Sequence, residues 1–240
     1  MDPEAMRRHN ETAKDRALSR IENLVRRQGP ALAGLILEPI QGSGGHHVAP
    51  ESFFEELSGL SSRTELALGY DEVQTGLGAT GKMFYADCLS LKRPPEALVC
   101  AKKFGVGVLY MVDHLKDVGV LDSTWGGPLV DMVRVVREME IVGKQRLVPK
   151  AVSSGARLRE GLLELESRYL DVIMNVRGPG MMQGFTVLPA QDGRARDLLV
   201  ELALKRELLL LLEAGRSSIR LRPNLSATEE DVDRFLGRLE

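Results

Sequence analysis

Short apolar runs alternate with longer amphipathic stretches over the first part of the chain. The apolar runs show no polar alternation, which is typical of strands that are buried on both faces in a parallel sheet. The longer stretches place apolar residues at helical spacing, and Gly29-Pro30 ends the first of them. The predicted strands are residues 32–40, 65–70 and 97–101, and the predicted helices are residues 4–28, 53–60 and 83–91. Strands that alternate with helices in this order indicate βαβ units and an α/β fold.

The pattern changes after a loop at residues 123–127. Two consecutive helices are predicted there, and the strands that follow are short and separated by turns such as Gly-Pro-Gly at residues 178–180. These elements indicate a smaller α+β domain. We place the boundary near residues 143–150, which gives a large domain over residues 1–145 and a small domain over residues 146–240. The helices predicted after the loop are residues 129–142, 149–167, 192–206 and 227–239, the first of them on the large-domain side of the boundary, and the strands are residues 174–176, 181–187, 208–212 and 219–221.

Composition limits the classes of function that the chain can have. With 240 residues, 43% of them hydrophobic, it is long enough to bury one large core or two modest ones. Its 32 basic residues are balanced by 34 acidic ones and are not concentrated in any segment, which argues against nucleic-acid binding. No apolar run reaches the ~18 residues of a membrane helix, and Cys88 and Cys100 lack the spacing of a disulfide framework. We therefore expect a cytoplasmic protein that binds neither membranes nor nucleic acid.

Polar residues follow each of the three predicted strands of the large domain. Glu38, Asp71 and the pair Lys102-Lys103 lie where these strands end. In open parallel sheets ligands bind beyond the carboxyl ends of the strands, so we expect these side chains to share one edge. Taken alone, each has a structural explanation, because an acid after a strand is often a surface group and paired lysines are usually solvated. Only their combination and order point to a site.

Five segments occur in a fixed order along the chain and together carry a family resemblance. They are residues 37–42 (LEPIQG), 70–76 (YDEVQTG), 101–103 (AKK), 123–127 (STWGG) and 218–223 (SIRLRP). From about Leu32 to the C-terminus, the chain resembles the class III, fold-type I aminotransferases that use pyridoxal phosphate, in particular the lysine 6-aminotransferase and 4-aminobutyrate aminotransferase branch. The resemblance implies a partial large domain of that fold, a mostly parallel sheet with helices, followed by the α+β small domain.

The resemblance also implies which residues surround the cofactor, pyridoxal 5′-phosphate. Lys103 matches the lysine that holds the cofactor as a Schiff base, and Asp71 matches the acid that pairs with the pyridine nitrogen. Val73 would pack on one face of the ring and Gln74 would hydrogen-bond the ring oxygen, although Val73 is equally explained as an ordinary core valine. Thr124 would donate to the cofactor phosphate of the partner subunit, which implies a homodimer; alternatively, it only stabilises its own loop.

Two further residues resemble the part of the family's site that binds substrate. Glu38 would cover Arg220 during the half-reaction with the amine donor and release it to bind the carboxylate of 2-oxoglutarate. The alternative is a structural ion pair, and Arg222 is a less favoured candidate for the same role. The implied reaction transfers the terminal amino group of an amino acid such as lysine or 4-aminobutyrate to 2-oxoglutarate.

The chain differs from the family in the segment before Leu32, which is much longer in family members and carries the loop that grips the cofactor phosphate. Two functions therefore stay open: an aminotransferase, or a truncated, non-catalytic homologue that acts as a dimerising interaction module. In either case we expect the sheet to leave an edge or face uncovered and the chain to self-associate. His46 and His47 follow a glycine-rich turn without further ligands at metal spacing, so we interpret them as a solvated loop and expect no metal site.

Overall fold

The chain folds around two four-stranded sheets in the computed structural model, which describes residues 3–113, 124, 126–207 and 209–240. In the first sheet the strand order follows the sequence, and three parallel strands are followed by one that runs antiparallel to the third. The elements of this part are α1 (Pro3–Gln28), β1 (Leu35–Leu37), α2 (Glu51–Thr64), β2 (Leu68–Asp71), β3 (Ala97–Cys100) and β4 (Val108–Met111). The predicted α/β fold with a mostly parallel sheet is confirmed.

The register of the parallel strands brings their carboxyl ends to one edge of the first sheet. Leu37 pairs with Tyr70, and Asp71 pairs with Val99, so the residues that follow each strand leave the sheet side by side. Tyr70 is fully buried beneath this edge, and its ring makes an edge contact with that of Phe54 from α2. Close packing under the edge fixes where the polar residues of the strand ends emerge.

The second sheet is antiparallel throughout, and helices cover one of its faces. An apolar core fills the space between helices and strands, with Leu158, Leu162, Phe185 and Ile219 among its most deeply buried members. α3 (Leu129–Lys144) packs on the first part of the chain, because its Val135 is buried with Leu77, Cys100 and Phe104. The elements of the second part are α4 (Leu147–Arg168), β5 (Ile173–Arg177), β6 (Gln183–Val187), α5 (Arg194–Glu207), β7 (Leu212–Ala214), β8 (Ser218–Leu221) and α6 (Glu229–Leu239). The strand order is β5-β6-β8-β7.

Local signals in the sequence explain where several helices begin and end. Thr228 and Asp231 form a reciprocal capping box at the start of α6. Arg146, with φ 52°, separates α3 from α4, and the domain boundary predicted between residues 145 and 146 coincides with this break and stays a prediction. Among the described helices, none has an apolar stretch long enough to cross a membrane.

The helix predicted over residues 83–91 is wrong, because only a 3-10 turn, Tyr85–Cys88, forms there. The carboxylate of Glu72 accepts hydrogen bonds from the backbone N–H groups of Tyr85 and Ala86. These groups therefore start a turn that a distant side chain holds in place. Local periodicity carries no information about such a contact.

Two strand predictions also need correction. The strand predicted over residues 208–212 lies further along the chain, as β7, and Leu208 is outside the described residues. β1 is not buried on both faces, because it is an edge strand and Ile36 is 65% exposed. The sequence pattern does not predict β4, whose apolar residues are largely exposed at the other edge. The first sheet therefore presents apolar side chains at both edges.

Candidate active site

Lys103 lies just beyond the carboxyl end of β3, in a 3-10 turn that covers Lys102–Phe104. Lys102 has φ 49°, in the left-handed region that residues other than glycine seldom adopt. Lys102 is exposed, whereas Lys103 is half-buried. The Nζ of Lys103 donates hydrogen bonds to the backbone oxygens of Gln74 and Gly76, at 2.7 and 3.1 Å. The amine therefore reaches back onto the turn that follows β2.

Burial is the main cause that lowers the pKa of Lys103 to about 8, and the charge of Arg222 acts in the same direction. The carboxylate of Glu72 opposes this effect. An amine with a pKa near 8 is partly neutral at physiological pH, and the neutral form is the one that attacks a carbonyl carbon. Lys103 is therefore suited to covalent chemistry with a carbonyl compound.

The turn that follows β2 carries Asp71, Val73 and Gln74, and the backbone oxygen of Gln74 contacts the amine of Lys103. Oδ1 of Asp71 accepts a hydrogen bond from the N–H of Val73 at 3.0 Å, which orients the carboxylate. Both residues are half-buried, whereas Gln74 is buried. The side-chain oxygen of Gln74 has no hydrogen-bond partner among the described residues. Because an unpaired buried oxygen destabilises a fold, an acceptor left open here fits a site that receives a donor from a ligand.

Glu72 was not singled out from the sequence, yet it is fully buried in this turn. Its carboxylate accepts hydrogen bonds from the hydroxyl of Thr75 at 2.6 Å and from two backbone N–H groups at 2.8 Å. Burial raises the pKa of Glu72, and the three hydrogen bonds act against this rise. The side chains of neighbouring residues in an extended chain point to opposite sides. The adjacent acids Asp71 and Glu72 therefore signal that only one of them can face the site, while the other faces the interior.

Glu38 and Arg220 contact the same glycine-rich turn, residues 42–47, which we call the glycine turn. Oε2 of Glu38 accepts a hydrogen bond from the N–H of Gly42 at 3.0 Å, and Arg220 donates to the hydroxyl of Ser43 at 3.4 Å. Among the residues that the structure describes, Glu38 and Arg220 do not form an ion pair with each other. The predicted relation between them is therefore indirect in this structure and runs through the glycine turn.

The surroundings of Arg220 connect it to the turn after β2. A Cβ atom on Gly42 would lie 3.2 Å from Cγ of Gln74 and 3.5 Å from Nη1 of Arg220, so this glycine separates the two side chains. The Nε atoms of Arg220 and Arg222 are buried and have no partner within the described part of the chain. A guanidinium with an unused donor is suited to bind a carboxylate.

Thr124 is exposed, and its neighbours Ser123 and Trp125 are outside the described residues. Its predicted contact is with a partner subunit, so its role stays a prediction. The interpretation of His46 as part of a solvated loop is wrong, because this side chain is fully buried, whereas His47 is exposed. Within the described residues, no three His, Cys, Asp or Glu side chains cluster as metal ligands would.

The fold and the site define a class of protein. A partly desolvated lysine at the carboxyl edge of a parallel sheet contacts the turn that carries Asp71 and the open amide oxygen of Gln74, and the charge of Arg222, which follows β8, acts on this lysine. Such a site offers a nucleophilic amine together with guanidinium groups of the kind that bind acidic ligands. The family model for aminotransferase class-III matches residues 1–240, and the chain belongs to this family.

The relatives of the chain are named for several different amino donors. The chain is 36% identical over 211 residues to the L-lysine-epsilon aminotransferase of Mycobacterium tuberculosis, which covers 84% of the chain and 45% of that protein. It is 30% identical to the 4-aminobutyrate aminotransferase of Dictyostelium discoideum, over 97% of the chain and 47% of that protein. It is 32% identical to the acetylornithine aminotransferase of Prochlorococcus marinus, over 97% of the chain and 55% of that protein. The chain thus spans about half the length of these relatives.

A solved structure shows the same arrangement of elements. The lysine aminotransferase from M. tuberculosis in the internal aldimine form superposes with a TM-score of 0.88 at 30% identity. The match covers 100% of this chain and 55% of that structure. The predicted partial fold of a class III aminotransferase is therefore confirmed.

Proposed function

We propose that this site binds pyridoxal 5′-phosphate and serves the transfer of an amino group from an amino acid to 2-oxoglutarate. Lysine and 4-aminobutyrate are the donors that we favour. The observation that carries the proposal is the half-buried amine of Lys103, held at the sheet edge by two backbone oxygens with its pKa lowered to about 8. The relatives named above support the reaction class.

The residues around Lys103 fit the cofactor. Lys103 would hold it covalently, Asp71 would stabilise a proton on its ring nitrogen, and the open oxygen of Gln74 would accept a hydrogen bond from its hydroxyl group. Val73 would contact the ring. When bound, the cofactor supplies an electron sink for the substrate's bond-breaking step. The amine of Lys103 would also accept and return a proton at the substrate carbon.

We infer that Arg220 receives the carboxylate of the acceptor and that Glu38 governs access to it. Arg220 has an unused Nε donor, and its Nη1 rests on Ser43 through a 3.4 Å contact that a carboxylate could replace. Glu38 is exposed and lies four residues before Gly42, whose N–H donates a hydrogen bond to the Glu38 carboxylate. A shift of the glycine turn would therefore alter both side chains together.

We also propose that the active form is a homodimer in which Thr124 serves the site of the partner subunit. Exposed apolar side chains on α3, close in sequence to Thr124, support this assignment. They are Leu129 (78% exposed), Val130 (79%), Val133 (63%) and Val136 (60%). Exposed apolar patches of this kind favour protein contacts.

The proposal is tested by titrating the 240-residue chain with pyridoxal phosphate, fixing any adduct with borohydride and mapping the modified peptide. We expect the label on Lys103. The same preparation is then assayed with lysine, 4-aminobutyrate or acetylornithine as donor and 2-oxoglutarate as acceptor. A label spread evenly over the lysines would remove Lys103 from its assigned role. A specific label without turnover would favour the non-catalytic alternative.

A further inference from the structure

The glycine turn follows β1 of the first sheet, but it is held by the second sheet. Arg177, at the end of β5, donates from Nη2 to the backbone oxygen of Gly45 at 2.7 Å and from Nε to that of His46 at 2.9 Å. The remaining donors tie the same guanidinium to its own sheet. They reach the Asn175 backbone oxygen at 2.8 Å, the Thr186 hydroxyl at 3.1 Å and the Ser218 hydroxyl at 2.7 Å.

The ring of His46 fits into a socket that two glycines leave open. Its Nε2 lies 3.3 Å from the backbone oxygen of Met182. A Cβ atom on Gly184 would come within 2.6 Å of the ring carbon Cδ2, and one on Gly178 within 3.0 Å of Nε2. A Cβ atom cannot lie closer than about 3.0 Å to a non-bonded heavy atom. Residue 184 must therefore be a glycine for the His46 ring to occupy the socket. Arg177 thus holds the backbone of the glycine turn, and the socket holds the side chain of His46.

The turn fixed in this way is the one that contacts both candidate carboxylate-handling residues. Its first residue, Gly42, donates to Glu38, and its second, Ser43, accepts from Arg220. The backbone oxygen of Ser43 also accepts a hydrogen bond from the N–H of Gly215 at 2.8 Å. The position of the turn on the second sheet therefore decides where Arg220 and Glu38 stand relative to each other.

We propose that Arg177 is a positioning residue for the carboxylate site, which it controls by fixing the glycine turn between Glu38 and Arg220. The inference rests on the proposed function of Arg220. Among the described residues, Arg177 forms no ion pair with a carboxylate, and burial lowers its pKa to about 10. Burying an unpaired cation is unfavourable, so a purely structural position would be better filled by a neutral side chain. What the position requires is the five-donor planar fork of arginine.

The experiment compares amide hydrogen exchange over residues 41–48 in the intact chain, its Arg177→Gln variant and its Arg177→Lys variant. We expect exchange to rise by about tenfold to a hundredfold in Arg177→Gln, since buried hydrogen bonds to a charged group are lost. Lysine keeps the charge but not the fork, so Arg177→Lys should recover only part of the protection. Arg157→Gln is the matched control, because Arg157 binds Asp233 between α4 and α6 and does not contact the turn.

Glutarate, a dicarboxylate without a reactive carbonyl, is the binding probe. We expect its dissociation constant to rise about tenfold or more in Arg177→Gln, while the yield of borohydride-fixed pyridoxal phosphate on Lys103 stays within about twofold. Faster exchange with unchanged glutarate affinity would reduce Arg177 to a structural role and overturn the proposal, as would unchanged exchange. If the unaltered chain does not bind glutarate, the proposed function of Arg220 fails, and the exchange data still decide whether Arg177 fixes the turn.

A second variant covers the case in which Arg177→Gln does not fold. Gly184→Ala leaves Arg177 in place but closes the socket of His46. We expect it to raise exchange over residues 41–48 and to weaken glutarate binding. Adding His46→Gly to Gly184→Ala removes the clash. The double variant should regain part of the protection from exchange and part of the affinity for glutarate. Wild-type behaviour of Gly184→Ala would contradict the coupling of socket, turn and carboxylate site.

Discussion

At the scale of single residues, the environment of Lys103 makes its reactivity depend on pH. Burial lowers the pKa of this amine to about 8, compared with 10.5 for an unperturbed lysine. We expect borohydride-fixed labelling of Lys103 by pyridoxal phosphate to rise with pH around a midpoint near 8. Mass spectrometry of the modified peptide measures it. Lys103→Ala should lose the label and Lys102→Ala should keep it, and the reverse result would shift the assignment by one residue.

The same pKa affects stability. Because the pKa of Lys103 is lower in the folded chain than in the unfolded chain, the unfolded chain binds more protons between about pH 8 and pH 10.5. The burial of Lys103 therefore opposes folding fully below pH 8, and this penalty disappears as the pH rises to 10.5. We expect Lys103→Met to gain most in melting temperature, relative to wild type, at pH 7 and to lose this advantage towards pH 10. A difference that does not depend on pH would contradict the lowered pKa.

Asp71 allows a test of charge without a change of shape. Asn at this position can still accept from the N–H of Val73, so the turn is retained and only the negative charge is lost. We expect Asp71→Asn to bind pyridoxal phosphate but to transfer the amino group more slowly by orders of magnitude, because the ring nitrogen loses its ionic partner. Single-turnover conversion with an amine donor is the measurement, and the exposed Asp87→Asn is the control. Equal rates for Asp71→Asn and wild type would exclude Asp71 from the mechanism.

The residues that sequence analysis could find are those whose position follows from a local pattern. Glu38, Asp71 and Lys103 each end an apolar run, and the parallel order of the strands was enough to place them at one edge. Arg177 and His46 could not be found in this way. Their contact joins residues 131 positions apart, and no periodicity in the sequence encodes it.

At the scale of elements, the approach of α4 to the second sheet depends on a glycine. A Cβ atom on Gly155 would lie 2.3 Å from the backbone carbon of Gly180, in the turn between β5 and β6. We expect Gly155→Ala to destabilise the fold by several kcal/mol, because backbone must move to relieve the clash. Gly143→Ala in α3 is the matched control, since nothing lies within 4 Å of its Cβ position. It should stabilise by about 0.5–1 kcal/mol. Urea unfolding measures both, and equal effects would contradict the packing described for α4.

Elements with strong helical periodicity were predicted to within a few residues, as α1, α4 and α6 illustrate. The errors fall where a distant partner decides the structure. Glu72 holds the turn at Tyr85–Cys88, and β4 forms only because it pairs with β3 through register partners such as Val99 and Leu109. Such elements have no signal of their own, because their stability comes from contacts that the fold creates.

At the scale of the whole molecule, the exposed apolar residues of α3 lead us to expect self-association. Charges at Val133 and Val136, introduced as a double Val→Lys substitution, should weaken it, because burying them would require desolvation without partners. Sedimentation velocity at several concentrations is the measurement. Leu198→Lys on α5, where the side chain is 55% exposed, is the control. An unchanged association constant in the α3 variant would place the contact elsewhere.

The seating of the glycine turn on the second sheet has a consequence for synthesis of the chain. Glu38 and the turn are made before Arg177, and the guanidinium that holds His46 belongs to a residue made 131 positions after it. At roughly 5–20 residues per second, this interval lasts on the order of ten seconds. During that time the strand ends can form while the proposed carboxylate site cannot. A nascent chain that stops before Arg177 would therefore carry Lys103 without the proposed means to bind an acid, and the proposed selectivity would arise only once the strands of the second sheet are made.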